Sequence, residues 1–373
     1  MDRPQRQIGR WLWIAAAALF GLAAAVWAML PDGGAGRVER RADCYAPTAM
    51  PPVETLADGR RAVRLRVLLW NVEGLPWPIR TGRDRKLAKI ANWISERRNA
   101  GLGPDILILH KAFTPAASDI AVAGGFASIV PGPALGQKRR LPAAPPPPDY
   151  ADRAHGWKGE TIGKWLDGGL YVATSLPVLA SKSEAFGQDS CAGYDCLSNK
   201  GAIALRIAIP GAPEPLILFN THRNSREPAK VAIARAEAAH VLQTQENDAM
   251  LAEFAAESSA MIAAGDFNNY RAGDRTGRFA SDPGFRLAGK GAGYAGRPAP
   301  MTDAKAWHDA YDLLGYRSGG ALRVEPLAVA TLFDGKNGPR LSDHDAQYVI
   351  FRISWPTGAR PMPIPLPPCF DRK

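Results

Sequence analysis

The chain has 373 residues, of which 46% are hydrophobic, enough to bury one large core or two small ones. No repeat with a period of about 20–50 residues is visible, which excludes a solenoid or a propeller array. The net charge of +10 suits an anionic partner such as nucleic acid, a phospholipid surface or a phosphate ester, with solubility as the plainer reading.

Arg3, Arg6 and Arg10 precede an uncharged apolar run of 20 residues, Trp11 to Leu30. As a helix rising about 1.5 Å per residue, that run would span about 30 Å, the thickness of a bilayer core. It predicts an N-terminal transmembrane helix within a signal-anchor segment, residues 1–35, with the main domain outside the cytoplasm, periplasmic or extracellular. Gly33 to Gly36 offers a cleavage site, and cleavage there would make the domain a secreted protein. Residues 36–62, rich in Gly, Pro and Arg, read as a linker, 63–355 as the domain and 356–373 as a Pro-rich tail. Cys191 and Cys196 are close in sequence, while Cys44 and Cys369 bracket the domain. Disulfides 191–196 and 44–369 suit an oxidising compartment, with unpaired thiols as the alternative.

Val63 to Trp70 is apolar and branched and reads as a buried strand. It ends in Asn71-Val72-Glu73-Gly74-Leu75-Pro76, where Gly and Pro stop it. On an extended backbone Asn71 and Glu73, two apart, point to the same side. Helical spacing of Leu87, Ile90, Ala91 and Ile94 predicts a helix from Arg83 to Arg98, and Asp105 to Leu109 predicts a strand running into His110-Lys111. Residues 131–165 hold Lys138-Arg139-Arg140, four successive prolines from Pro145, and Trp157 and Trp165 among basic residues. They read as a long loop over the site. It would touch a membrane surface or a nucleic-acid backbone, or else its tryptophans pack back onto the sheet. Strands follow at 168–175, 202–209 and 216–219. A long helix is expected from Pro228 to about Glu253, with Val231, Ala234, Ala238, Val241, Leu242 and Gln245 on one face. Met261 to Ala264 reads as a strand, 270–300 as loop, Trp307 to Leu314 as a short helix, and Tyr348 to Ile353 as a strand.

Four short motifs sit at the ends of these apolar runs: Trp70-Asn71-Val72-Glu73, Asn220-Thr221-His222, Gly265-Asp266-Phe267-Asn268 and Ser342-Asp343-His344. Carboxylate, amide and imidazole groups at strand ends are what a hard metal ion and a phosphate need around them. Asp343 beside His344 makes chemical sense alone, since a carboxylate fixes an imidazole tautomer and raises its basicity. Strands alternating with helices argue for an α/β fold.

In this order the motifs resemble the endonuclease/exonuclease/phosphatase superfamily, which has the DNase I-like fold and includes neutral sphingomyelinases. The resemblance runs from about Arg64 to about Ile353. It implies a four-layer α/β sandwich, two packed mixed sheets flanked by helices, and a Mg2+-dependent phosphodiesterase, a hydrolase. It also implies that Asn71 holds the metal and that Asp343 lies beside it. By the same match His222 contacts the phosphoryl group, Asp266 and Asn268 orient nucleophile and phosphate, and Asp343 orients His344 as general base.

Lys111 departs from the pattern. The family has a Gln-Glu pair there, with the Glu as principal metal ligand, whereas protonated Lys has three donors and no acceptor. Three readings follow. Lys111 pairs Asp266 or Asp343 where the metal would sit, Glu73 supplies the lost carboxylate, or the chain is a variant of an active parent.

Asp167 to Val178 and Asp195 to Gly201 are similar to segments of the neutral sphingomyelinase branch. That resemblance implies a membrane-anchored enzyme acting on phospholipid head groups. The alternatives are a DNase-like nuclease using the basic stretch 137–141, and a catalytically inactive surface protein that binds phosphate esters.

Overall fold

The computed structural model describes residues 37–269, Arg275, 286–288 and 312–369. Its strands in chain order are β1 (Glu54–Thr55), β2 (Arg61–Gly74), β3 (Ile106–Ala112), β4 (Ser128–Pro131), β5 (Tyr171–Thr174), β6 (Val178–Ala185) and β7 (Gly201–Ile207). β8 (Leu216–His222), β9 (Met261–Asp266), β10 (Arg286–Leu287), β11 (Asp312–Arg317), β12 (Arg323–Leu332) and β13 (Ala346–Trp355) complete the set among the described residues. Among the described residues, the helices of at least two turns are α1 (Arg83–Asn99), α2 (Pro115–Ala123) and α3 (Ile233–Phe254).

Two mixed sheets form. One runs β12-β13-β2-β3-β5-β4 with β1 on β2, and the other runs β10-β11-β9-β8-β7-β6. β2–β3 and β8–β9 are parallel and the other pairs antiparallel. β2 shows why the sheets stack. Val63, Leu65, Val67 and Leu69 enter a core shared with Leu216, Leu218, Ile262 and Leu314 of the second sheet. The alternate residues Leu68, Trp70 and Val72 pack outward on Leu87, Ile90 and Ile94 of α1 and Ile120 of α2. Such period-2 alternation with both faces buried needs cover on each side. α3 covers the outer face of the second sheet through Met250 and Phe254. The layers are therefore helices, sheet, sheet and helix, and each fully buried aliphatic side chain contributes about 1.5–3 kcal/mol.

Both expected disulfides are formed, Cys44–Cys369 and Cys191–Cys196. The expected membrane helix lies outside the described residues, among which no helix is long and apolar enough to cross a membrane.

Several expectations are corrected. Residues 37–62 are pinned to the domain: Arg40 bridges Ile129, Tyr45 N–H donates to Pro367 O at 3.0 Å, and β1 pairs with β2. Asp312 to Leu314 is strand, because it pairs with β9 in register Asp312 to Asp266. The face of α3 chosen from its apolar residues is not the buried one, since Ala234 and Gln245 are exposed. The buried face carries His240, Gln243, Glu246 and Asn247. It serves as a hydrogen-bonding wall. Glu246 accepts from Ser190 Oγ at 2.6 Å, Gly187 N–H at 2.9 Å and Ala144 N–H at 3.1 Å, and Gln243 holds Ser190 O and Asn224 N–H. Trp157 and Trp165 do not pack back onto the sheet, being 98% and 47% exposed.

Candidate active site

Along the inner faces, apolar residues occupy every second position until the strand ends, where polar side chains take over the same parity. Leu69 is followed by Asn71, Ile108 by His110, Leu218 by Asn220 and His222, and Ala264 by Asp266. Asp312 opens β11 two residues before the inner Leu314. These six polar residues therefore meet between the sheets at one end of the sandwich, each no more than 2% exposed.

Buried polar groups must be hydrogen-bonded, and these bond across the sandwich. Asn71 Nδ2 donates to Asp266 Oδ2 at 2.9 Å. The Asp266 main-chain N–H donates to His110 Nδ1 at 3.1 Å, so His110 carries its proton on Nε2, which donates to Asn220 Oδ1 at 2.6 Å. Burial lowers the His110 pKa, which keeps that ring neutral. His110 stacks on His222 with centroids 5.6 Å apart. His222 Nε2 lies 3.3 Å from Asp266 Oδ2 and 3.0 Å from Lys200 Nζ. Burial, then Lys200 and His110, hold His222 well below its ordinary value. Lys200 also bonds Asp195 Oδ1 at 2.8 Å and Arg223 O at 3.2 Å, so its three protons meet three partners.

His344 is the best-placed base. Its Nδ1 is 2.5 Å from Asp312 Oδ2 and 4.0 Å from Asp266 Oδ2. Burial opposes its charge, but the Asp312 carboxylate and its hydrogen bond outweigh burial and raise the imidazole above its usual value. With Nδ1–H held by Asp312, the lone pair of the neutral ring sits on Nε2. The carboxylate that orients His344 is thus Asp312, not the adjacent Asp343. Neighbours in sequence splay apart here: the Asp343 carboxylate instead meets Ser342 Oγ at 3.3 Å and Lys111 Nζ at 3.5 Å. The segment is anchored by Ser342 Oγ–H donating to Asn71 O at 2.6 Å and Trp70 Nε1–H donating to His344 O at 3.1 Å.

Asn268 follows at the end of β9. Its N–H donates to Asp266 Oδ1 at 3.2 Å and its Nδ2 to Arg223 O at 2.8 Å. Asn268, Lys111 and Glu73 have φ of 52°, 49° and 50°, three left-handed non-glycine residues where β9, β3 and β2 run out. Such conformations cost about 1–3 kcal/mol each and cluster where function over-determines the backbone.

Glu73 does not share a side with Asn71, because its left-handed backbone breaks the extended run. Its carboxylate is taken by two guanidinium groups, Arg80 Nε at 2.7 Å and Arg83 Nη1 at 3.1 Å. Arg83 is itself buried and bonds the carbonyls of Val72, Glu73 and Leu341. Glu73 is a structural anion at the end of β2, so the replacement-ligand reading fails on geometry.

Among the described residues, two groups bring three ligand atoms within 4.8 Å of one another: His110, His222 and Asp266, and Asp266, Asp312 and His344. Their chemistry does not fit magnesium. That ion takes oxygen ligands in near-octahedral geometry. Here both His110 nitrogens are engaged, His344 Nδ1 is held by Asp312, and the Asp343 carboxylate faces an ammonium group.

No protein-family model matches the chain, and no curated protein matches its sequence. Solved structures do match. SmcL is 17% identical, with TM-score 0.51 over 77% of this chain and 98% of that one. A variant of beta toxin from Staphylococcus aureus, solved with bound magnesium ions, is 16% identical with TM-score 0.52 over 77% and 99%. Sphingomyelinase C from Streptomyces griseocarneus is 19% identical with TM-score 0.50 over 77% and 99%. The chain has the DNase I-like fold. On that fold the end of the sandwich gathers Asn71, His222, Asp266, Asn268, Asp343 and His344, and it sets Glu73 apart. The motifs do not single out Asp312, His110, Asn220 and Lys200 as site residues. Asp312 offers the same signal as Asp266, a carboxylate at the edge of an apolar run, but falls in the stretch Trp307 to Leu314 that the sequence predicts as a short helix.

Proposed function

We propose that this chain is a phosphodiesterase that hydrolyses phospholipid head groups in the manner of a sphingomyelinase. The observation that carries this reading is the His344–Asp312 pair, facing Asp266 at the strand ends where the superfamily motifs converge. In the reaction, neutral His344 takes a proton from water at Nε2. The water oxygen bonds to phosphorus, the bond to the leaving oxygen breaks, and that oxygen is protonated from solvent. Asp312 orients the imidazole and stabilises its cation. Neutral His222, whose Nε2 accepts from Lys200, and Asn268 position the phosphoryl group.

The lipid part of the reading rests on apolar side chains at the surface. Trp77, Ile79, Trp157, Ile162 and Trp165 are each between 47% and 98% exposed. Exposed tryptophans beside basic residues suit a lipid interface. The test is hydrolysis by the full chain of sphingomyelin in liposomes, lysophospholipid and plasmid DNA. Phosphocholine release from sphingomyelin is expected. Cleavage of DNA alone would replace the lipid reading with the nuclease one.

A second reading is favoured by the Lys111–Asp343 pair: the site binds phosphate esters without turning them over. Retention of intact lipid with no release under any condition would establish it.

A further inference from the structure

The superfamily chemistry calls for a carboxylate and a cation where this chain has Lys111. A glutamate holding a divalent ion presents a net charge of +1, and a lysine alone presents the same +1. Lys111 is well placed to use it. Its ammonium lies 3.5 Å from Asp343 Oδ2, and its charge acts on His222, Asp343 and His344 alike. The two site lysines differ in one respect. Lys200 is saturated by three acceptors, whereas Lys111 meets one among the described residues, Asp343, at a distance longer than a strong charge-assisted bond. Two of its three N–H groups are available to an incoming anion. Lys111 and Asp343 have side chains 20% and 39% exposed, so the pair is reached from solvent. The left-handed backbone at Lys111, φ 49°, marks a position held against local preference.

We infer that the Lys111 ammonium stands in for the divalent cation, and that the site takes up a phosphate ester with no metal ion present. This rests on the phosphoester reading above and names its electrostatic partner. A phosphate oxygen accepts from Nζ while Asp343 keeps the ammonium in place. Lysine neutralises phosphate charge but does not acidify water, so activation of the nucleophile is left to His344.

The test is calorimetric titration of the full chain with inorganic phosphate, once in EDTA and once in magnesium. The inference expects the same affinity within about twofold in both buffers. Lys111→Gln should bind phosphate about tenfold more weakly, the loss of one charge-assisted contact. Lys111→Glu should bind phosphate in magnesium and not in EDTA. Both variants are compared with the native chain by circular dichroism, and the two-buffer comparison of the native chain decides even where a variant does not fold. Phosphate binding by the native chain in magnesium alone would overturn the inference and leave the phosphoester reading standing. Binding in neither buffer would overturn both. Native-like phosphate affinity in folded Lys111→Gln would also overturn it.

Discussion

His344 and Asp312 are 32 residues apart in sequence, yet His344 Nδ1 and Asp312 Oδ2 are 2.5 Å apart in the fold. The contact exists because β11 runs antiparallel to β9 and opens with Asp312 opposite Asp266. The imidazole pKa is raised by that carboxylate against the opposing effect of burial. A base must be neutral to act, so the acid limb of the rate profile should lie above the ordinary histidine value of about 6.5. In Asp312→Asn the limb should move to lower pH, and the plateau rate should fall by about 10²–10⁴ as the tautomer is lost. Initial rates between pH 5 and pH 9 read both effects. An unmoved limb would mean that another group titrates.

Glu73 lies between Arg80 and the buried Arg83. Glu73→Gln leaves a buried guanidinium without its anion, so stability should fall by about 3 kcal/mol. Urea unfolding measures that loss. Phosphate affinity should be unchanged, whereas a metal ligand at this position would have coupled the two.

Much of the fold could be read from alternation. In β2 the inner and outer residues separate cleanly, and the same parity carries Asn71 into the cleft beside Asp266. What escaped depends on partners far away in sequence. The φ of 50° at Glu73 turns its side chain toward arginines of the following turn and helix, and parity assumes an extended backbone. The buried face of α3 is polar because loops 139–144 and 187–190 need its hydrogen bonds, and an apolar stripe does not report that need. Asp312 was hidden by its place after a Gly- and Arg-rich stretch, where no preceding strand set the register.

The Cys44–Cys369 disulfide spans 325 residues and joins the segment before β1 to the segment after β13. Cys369 N–H also donates to Tyr45 O at 2.7 Å. Closing so long a loop restricts the unfolded chain, so Cys44→Ser should cost about 2–5 kcal/mol. Thermal unfolding should show a lower Tm. Hydrolysis at room temperature should be unaffected, since neither cysteine approaches the cleft residues.

Trp157, 98% exposed, sits beside Lys158, whose Nζ lies 5.5 Å from the Tyr194 ring. If this surface meets lipid, Trp157→Ala should reduce co-sedimentation with neutral liposomes several-fold and leave the Tm unchanged. Binding should persist at high salt, because burial of indole is not screened as charge is. Steep salt dependence would point to a polyanion instead.

The most direct test compares phosphocholine release from sphingomyelin liposomes by the full chain and by His344→Gln. The account predicts release by the native chain and loss of at least about a hundredfold in the variant, with the fold unchanged by circular dichroism. Equal release by the two proteins would contradict His344 as the base. No release by the native chain from any phosphodiester would contradict the hydrolase itself.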